Sequence, residues 1–232
     1  DVIATYENFV VQEQKMQEQD LTNIYDLERS LIPHMIEMRM KGVRIDIERA
    51  HKVAAHFKGL EDNARQSLHD LSGIWVDSPW AARELVPVLD IAGIKYPYTA
   101  KTNKPSVTKE WLDEMLEIEG HGPVAQAIKD YRRFNKARTT FVEQFFIETP
   151  VNGRVHCNFN LLKGEGGGTI SGRLSCDSPN MQQIPARDPD IGPLVRALVL
   201  AEEGCIFTSS DYSQQEPRHM VHMAHLLGQR SA

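Results

Sequence analysis

An acid suited to holding a metal and a cation suited to holding a phosphate stand in the C-terminal third of this chain. Asp211-Tyr212-Ser213-Gln214-Gln215-Glu216-Pro217-Arg218 follows the apolar run Cys205-Ile206-Phe207-Thr208. That run reads as a buried strand, with Asp211 at its end and Glu216 at the start of a helix. A carboxylate at a strand end is rigidly aimed, which suits metal coordination. Phosphoryl transfer uses two Mg2+ ions about 4 Å apart, one on the attacking oxygen and one on the leaving group. Mg2+ takes a few carboxylates together with substrate phosphates, so one Asp does not hold such a pair by itself. The alternative for the same residues is plain capping, with Asp211 as an N-cap and Glu216 as a solvated first-turn acid.

Upstream, Ser171-Gly172-Arg173-Leu174-Ser175 runs on through Pro179, Asn180, Gln182, Gln183 and Pro185 to Arg187. Gly172 permits a tight turn, and Arg173 offers a forked cation matched to phosphate. Asn180, Gln182 and Gln183 offer neutral donors. Every base pair presents acceptors in the minor groove, in a degenerate code, so such donors can grip paired DNA of any sequence. The alternative is a polar loop whose amides satisfy its own turns. A third cluster, Lys129, Arg132, Arg133, Lys136 and Arg138, is offset in sequence only by Asp130. Its cations could track duplex phosphates or line a solvated helix face.

These groups need elements to position them. Ile24, Leu27, Leu31, Met35 and Met38 predict an amphipathic helix over residues 21–41, with Pro33 inside it and Gly42 ending it. Asp46 is the expected N-cap of a long helix to Leu71, striped by Val53, Phe57, Leu60, Ala64, Leu68 and Leu71. Ser78-Pro79 opens a short helix to Ile91, and Lys109 to Glu119 gives another. A second long helix is expected from Pro123 to Thr149, contacting through Ala127, Tyr131, Phe134, Phe141 and Phe145. Val155, Cys157 and Phe159 then alternate as a strand, and Gly164 to Gly168 is a glycine-rich loop.

The 232 residues are 41% apolar, enough for a core, and carry a net charge of −6, so nucleic-acid binding must rest on local patches. Cys157, Cys176 and Cys205 lack metal-type spacing and read as reduced thiols of an intracellular protein. No signal peptide or membrane-length apolar run is visible.

The two strings, in this order, resemble family A DNA polymerases, a group that includes phage replicative enzymes. The upstream string resembles the family's Thr-Gly-Arg-Leu-Ser-x-x-x-Pro-Asn-Leu-Gln-Asn-Ile-Pro, with Ser171 for Thr and Gln183 for Asn. The downstream string resembles motif A, with Gln215 in place of an aliphatic residue and Pro217 in place of Leu. Lys136-Ala-Arg-Thr-Thr-Phe141 resembles the Lys-x-x-Thr-Thr-Tyr element of the thumb. Asp1 and the residues after it resemble the close of a 3′–5′ exonuclease domain.

The resemblance implies an α+β fold, with long antiparallel thumb helices followed by a partial palm with an antiparallel sheet. Residues 1–20 would end a preceding exonuclease-like domain, 21–149 would be the helical thumb and 150–232 part of the palm. Asp211 would be catalytic and ligate two Mg2+ ions, helped by the Tyr212 carbonyl. Glu216 would pack under the incoming sugar and exclude a 2′-hydroxyl. Arg173, Asn180, Gln182, Gln183, Arg187, Lys136, Arg132, Arg133 and Arg218 would touch DNA. Primer-template DNA and deoxynucleotide triphosphates are the implied partners, in a cytoplasm, the host's if phage-encoded, with no membrane; the strings do not speak to a processivity factor. No Arg-x3-Lys-x6-Tyr-Gly string and no His-Asp-Glu string occur in the chain. The expectation is therefore a piece of a polymerase that holds DNA and is inactive alone, the alternative being a non-catalytic duplex-binding module.

Overall fold

The computed structural model describes residues 1–161 and 168–228. It divides into two compact units, Asp1–Leu200 and Ala201–Ala232. Most of the expected glycine-rich loop from Gly164 lies outside the described residues.

The first unit opens with α1 (Val2–Glu18) and α2 (Thr22–Lys41), neither of which contributes a buried residue. α2 runs unbroken through Pro33, and Gly42 ends it at φ 64°. A side chain at Gly42 would press on the His156 ring at 2.7 Å, so both backbone and space select glycine.

The framework is a helix pair. α3 (Ile47–Ser72) is capped by Asp46, whose carboxylate accepts the Arg49 N–H at 2.9 Å. Its partner is α6 (Gly122–Lys136), which continues through Ala137–Glu148 as a π-helix. Ala64 and Leu68, late in α3, share one core with Val124, Ala125, Ile128 and Tyr131, early in α6. Ala50, Val53 and Phe57, early in α3, share a second core with Val142, Phe145 and Phe146. The pair is therefore antiparallel, as expected.

The π winding corrects the expected continuous α-helix. Each π turn holds an extra residue, which rotates the face. Val142 and Phe146 become fully buried, while Phe141 is only partly so.

α4 (Ala82–Ile91) and α5 (Lys109–Leu116) close the first core. α4 starts later than Ser78 because the Glu84 carboxylate takes the N–H groups of Asp77 and Ser78, both at 2.8 Å, holding that stretch as a loop. α5 is capped by Thr108 and stops short of Glu119. Between them a turn pairs Tyr98 with Pro105.

β-structure is sparse. β1 (Val43–Arg44) pairs antiparallel with β2 (Arg154–Val155), and β3 (Asn158–Asn160) with β4 (Ser175–Asp177). The single strand expected over residues 155–159 is thus two strands in different ladders, broken where His156 bonds the Arg39 carbonyl through Nδ1. α7 (Gly192–Arg196) packs its Val195 and the preceding Ile191 into the second core.

A candidate nucleic-acid interface

The β3–β4 ladder presents the Gly-Arg string. Its register sets Phe159 opposite Cys176 and Asn158 opposite Asp177. Cys157 and Cys176 are buried beneath it. Burial, then the neighbouring Cys176 thiol, pushes the Cys157 thiol up to about 12, so it stays protonated and inert. The Asp177 carboxylate accepts from the Asn158 and Asn160 amides at 3.0 and 2.6 Å, and these bonds hold it below the usual carboxylate range. Gly172 has φ 73° with open space around it, so its backbone angle selects glycine there.

Beyond β4 the chain makes a short 3-10 turn, Met181–Gln183. Asn180 caps it, its side chain accepting the Gln182 N–H at 3.1 Å. That bond uses the Asn180 amide oxygen, the acceptor, and not its N–H donors. Gln182 reaches back to the Leu174 carbonyl, bracing the turn against the Gly-Arg string. Arg173, Gln182, Gln183 and Arg187 are exposed.

The cations of α6 are more committed than their sequence suggests. Arg132 donates to the Pro79 and Val107 carbonyls, both at 2.7 Å, and lies over the Trp80 ring. Arg133 grips both oxygens of Asp188, at 2.9 and 2.7 Å, and one of Asp190 at 2.6 Å. That guanidinium holds the Asp188 carboxyl down at about 2. Arg138 bridges Glu61 and Glu143, and Lys129 pairs with Asp113. The Lys136 ammonium sits 5.5 Å from the Phe141 ring centre. Arg132, Arg133 and Lys136 share a groove of about 840 Å³ with Pro185, Asp188 and Ile191. The basic helix and the segment following the amides therefore form one surface.

The second unit carries the acidic string. The expected buried strand over Cys205–Thr208 is absent: Ile206 and Phe207 are 84% and 67% exposed, and the stretch has no strand geometry. An apolar run becomes a buried strand only with ladder partners and a covering layer, and no described strand pairs with it. α8 (Gln215–Leu226) follows, with Glu216 and Pro217 in its first turn, which a proline tolerates. Asp211, Tyr212 and Arg218 are exposed. No group of three or more His, Cys, Asp or Glu side chains able to hold a metal ion occurs among the described residues.

The family model for DNA polymerase family A matches residues 48–227. The chain belongs to that family. A DNA-directed DNA polymerase of Pseudomonas phage M6 is 39% identical over 222 residues, 92% of this chain and 32% of the relative. DNA polymerase I of Chloroflexus aurantiacus is 30% identical over 205 residues, covering 86% of this chain and 21% of that one. This family A chain spans about a third of the length of the phage relatives it matches. Its fold matches the POL domain of Pol1 from M. smegmatis, solved in complex with DNA primer-template and dNTP. That match has a TM-score of 0.72 at 24% identity, over 92% of this chain and 36% of the other.

Sequence reasoning missed Glu61, Asp188 and Asp190. Glu61 carried a signal, since it falls between Phe57 and Ala64 on the buried stripe of α3. Asp188 and Asp190 carried none, because their partner Arg133 is far away in sequence.

Proposed function

We propose that the chain holds primer-template DNA for a template-directed, two-metal DNA polymerase. The groove where α6 meets the segment after the amide string carries this reading, together with family membership across that region. Lys136, with Arg132 behind it, gives the groove its positive charge, Arg133 being paired with Asp188 and Asp190. Arg173, Gln182, Gln183 and Arg187 supply exposed donors, and in the second unit Arg218 is an exposed cation on α8 that would also touch DNA. Residues 21–149 would act as the thumb and 150–232 as part of the palm.

Asp211 and the Tyr212 carbonyl would give one acidic ligand and one neutral ligand to a Mg2+ pair whose chemistry is phosphoryl transfer from a deoxynucleotide triphosphate. Glu216 would bear on the sugar. No helix among the described residues is long and apolar enough to cross a membrane, and work on DNA in a host cytoplasm fits this reading.

Duplex binding by the 232-residue chain tests the proposal. Arg173→Ala is expected to weaken it several-fold. Lys136→Ala should weaken it uniformly across sequences and lower the salt slope by about 1. Equal affinity in all three proteins would sink the reading. The 232 residues alone, lacking the second carboxylate string, should bind without extending a primer, which is also how a duplex-binding module would behave.

A further inference from the structure

Arg133 stands in the basic cluster, yet its surroundings are those of a clamp. Three contacts, all under 3 Å, tie it to Asp188 and Asp190. One guanidinium with two carboxylates is a net-negative unit, a poor seat for a phosphate. The segment it grips is pinned at its two ends. Ile184 and Ile191 pack into the second core. The ends also close on each other, since a side chain on Gly192 would come within 3.0 Å of the Pro185 carbonyl. Between them lie Pro185, Ala186, Arg187, Asp188, Pro189 and Asp190, and the exposed Arg187 adjoins the clamped Asp188.

We propose that Arg133, through Asp188 and Asp190, is a positioning residue that fixes Arg187 on the DNA-holding surface and does not itself contact phosphate. The inference rests on the DNA-holding reading above. Without the clamp the loop would keep its two apolar pins and the bond from the Gly192 N–H to the Asp188 carbonyl at 2.9 Å, and an arginine held more loosely gives up rotamer and backbone entropy each time it meets a phosphate.

Asp188→Asn isolates the clamp. The substituted amide retains an oxygen to accept the Asp190 and Ile191 N–H groups, both at 3.0 Å in the parent, and asparagine is as good a cap as aspartate. The two-oxygen charged grip of residue 188 on Arg133 is lost, and only the single Asp190 contact at 2.6 Å remains. Two accounts then predict opposite signs. If the segment matters only through charge, removing an anion from a DNA-binding face tightens binding. If the clamp positions Arg187, binding weakens, by roughly tenfold. The salt slope also falls by about 1 although no cation has been removed. Duplex binding across a salt series, for the unaltered chain, Asp188→Asn, Arg187→Ala and the double variant, reads both, with thermal melts to confirm folding. The double variant should match Arg187→Ala alone. Tighter binding by Asp188→Asn, or fully additive losses in the double variant, would overturn the clamp while leaving DNA binding intact. Absence of duplex binding by the unaltered chain would remove the DNA-holding reading first.

Discussion

Glu61 is a carboxylate placed where leucine or alanine would ordinarily sit. Its side chain is 5% exposed and faces Arg138, which Glu143 grips from the other side. Asn135 donates to the same carboxylate at 3.0 Å and accepts the Trp80 indole N–H at 2.8 Å. The network spans α3, α6 and the loop before α4. Removing one partner strands a buried charge, so Arg138→Ala should destabilise the chain by about 3–5 kcal/mol, read from the denaturant midpoint. A loss below about 1 kcal/mol would mean the pair is solvated. The residue scale is also where the sequence was least legible. Arg132 and Arg133 read as part of a basic face, and their carbonyl and carboxylate partners lie 25 to 57 residues away, where no local pattern records them. Arg173 and Gln182 are exposed, and the Gly-Arg turn and amide run that singled them out are local facts.

At the scale of elements, local signals were reliable where a cap or a stripe sufficed. Asp46 caps α3 where the sequence put it, and Val53, Phe57, Ala64 and Leu68 are buried on the expected face. The signal failed where winding or pairing decides. The π turns after Lys136 shift burial onto Val142 and Phe146, a change that an α-helical period cannot show. The run Cys205–Thr208 has the composition of a buried strand, but strand formation depends on neighbours that composition does not supply. Phe146, fully buried among Phe57, Val142 and Leu198, tests the π register. Phe146→Ala should cost about 3–5 kcal/mol, and Phe141→Ala, at a partly exposed position, clearly less. The reverse order in chemical denaturation would restore the straight α-helix.

At the scale of the molecule, the proposed DNA-holding role requires a chain of net charge −6 to meet a polyanion through a local surface. Much of its basic helix is neutralised internally, which puts the attraction on Lys136 and on the exposed Arg173 and Arg187. Binding of that kind is indifferent to sequence and steep in salt. Equilibrium binding of the chain to two duplexes of unrelated sequence, followed across a salt series, tests this most directly. Equal affinities that fall together, with a log–log slope of about −3 for some three phosphate contacts, are the expected result. Affinity that discriminates between the duplexes, or that does not change with salt, would contradict the account.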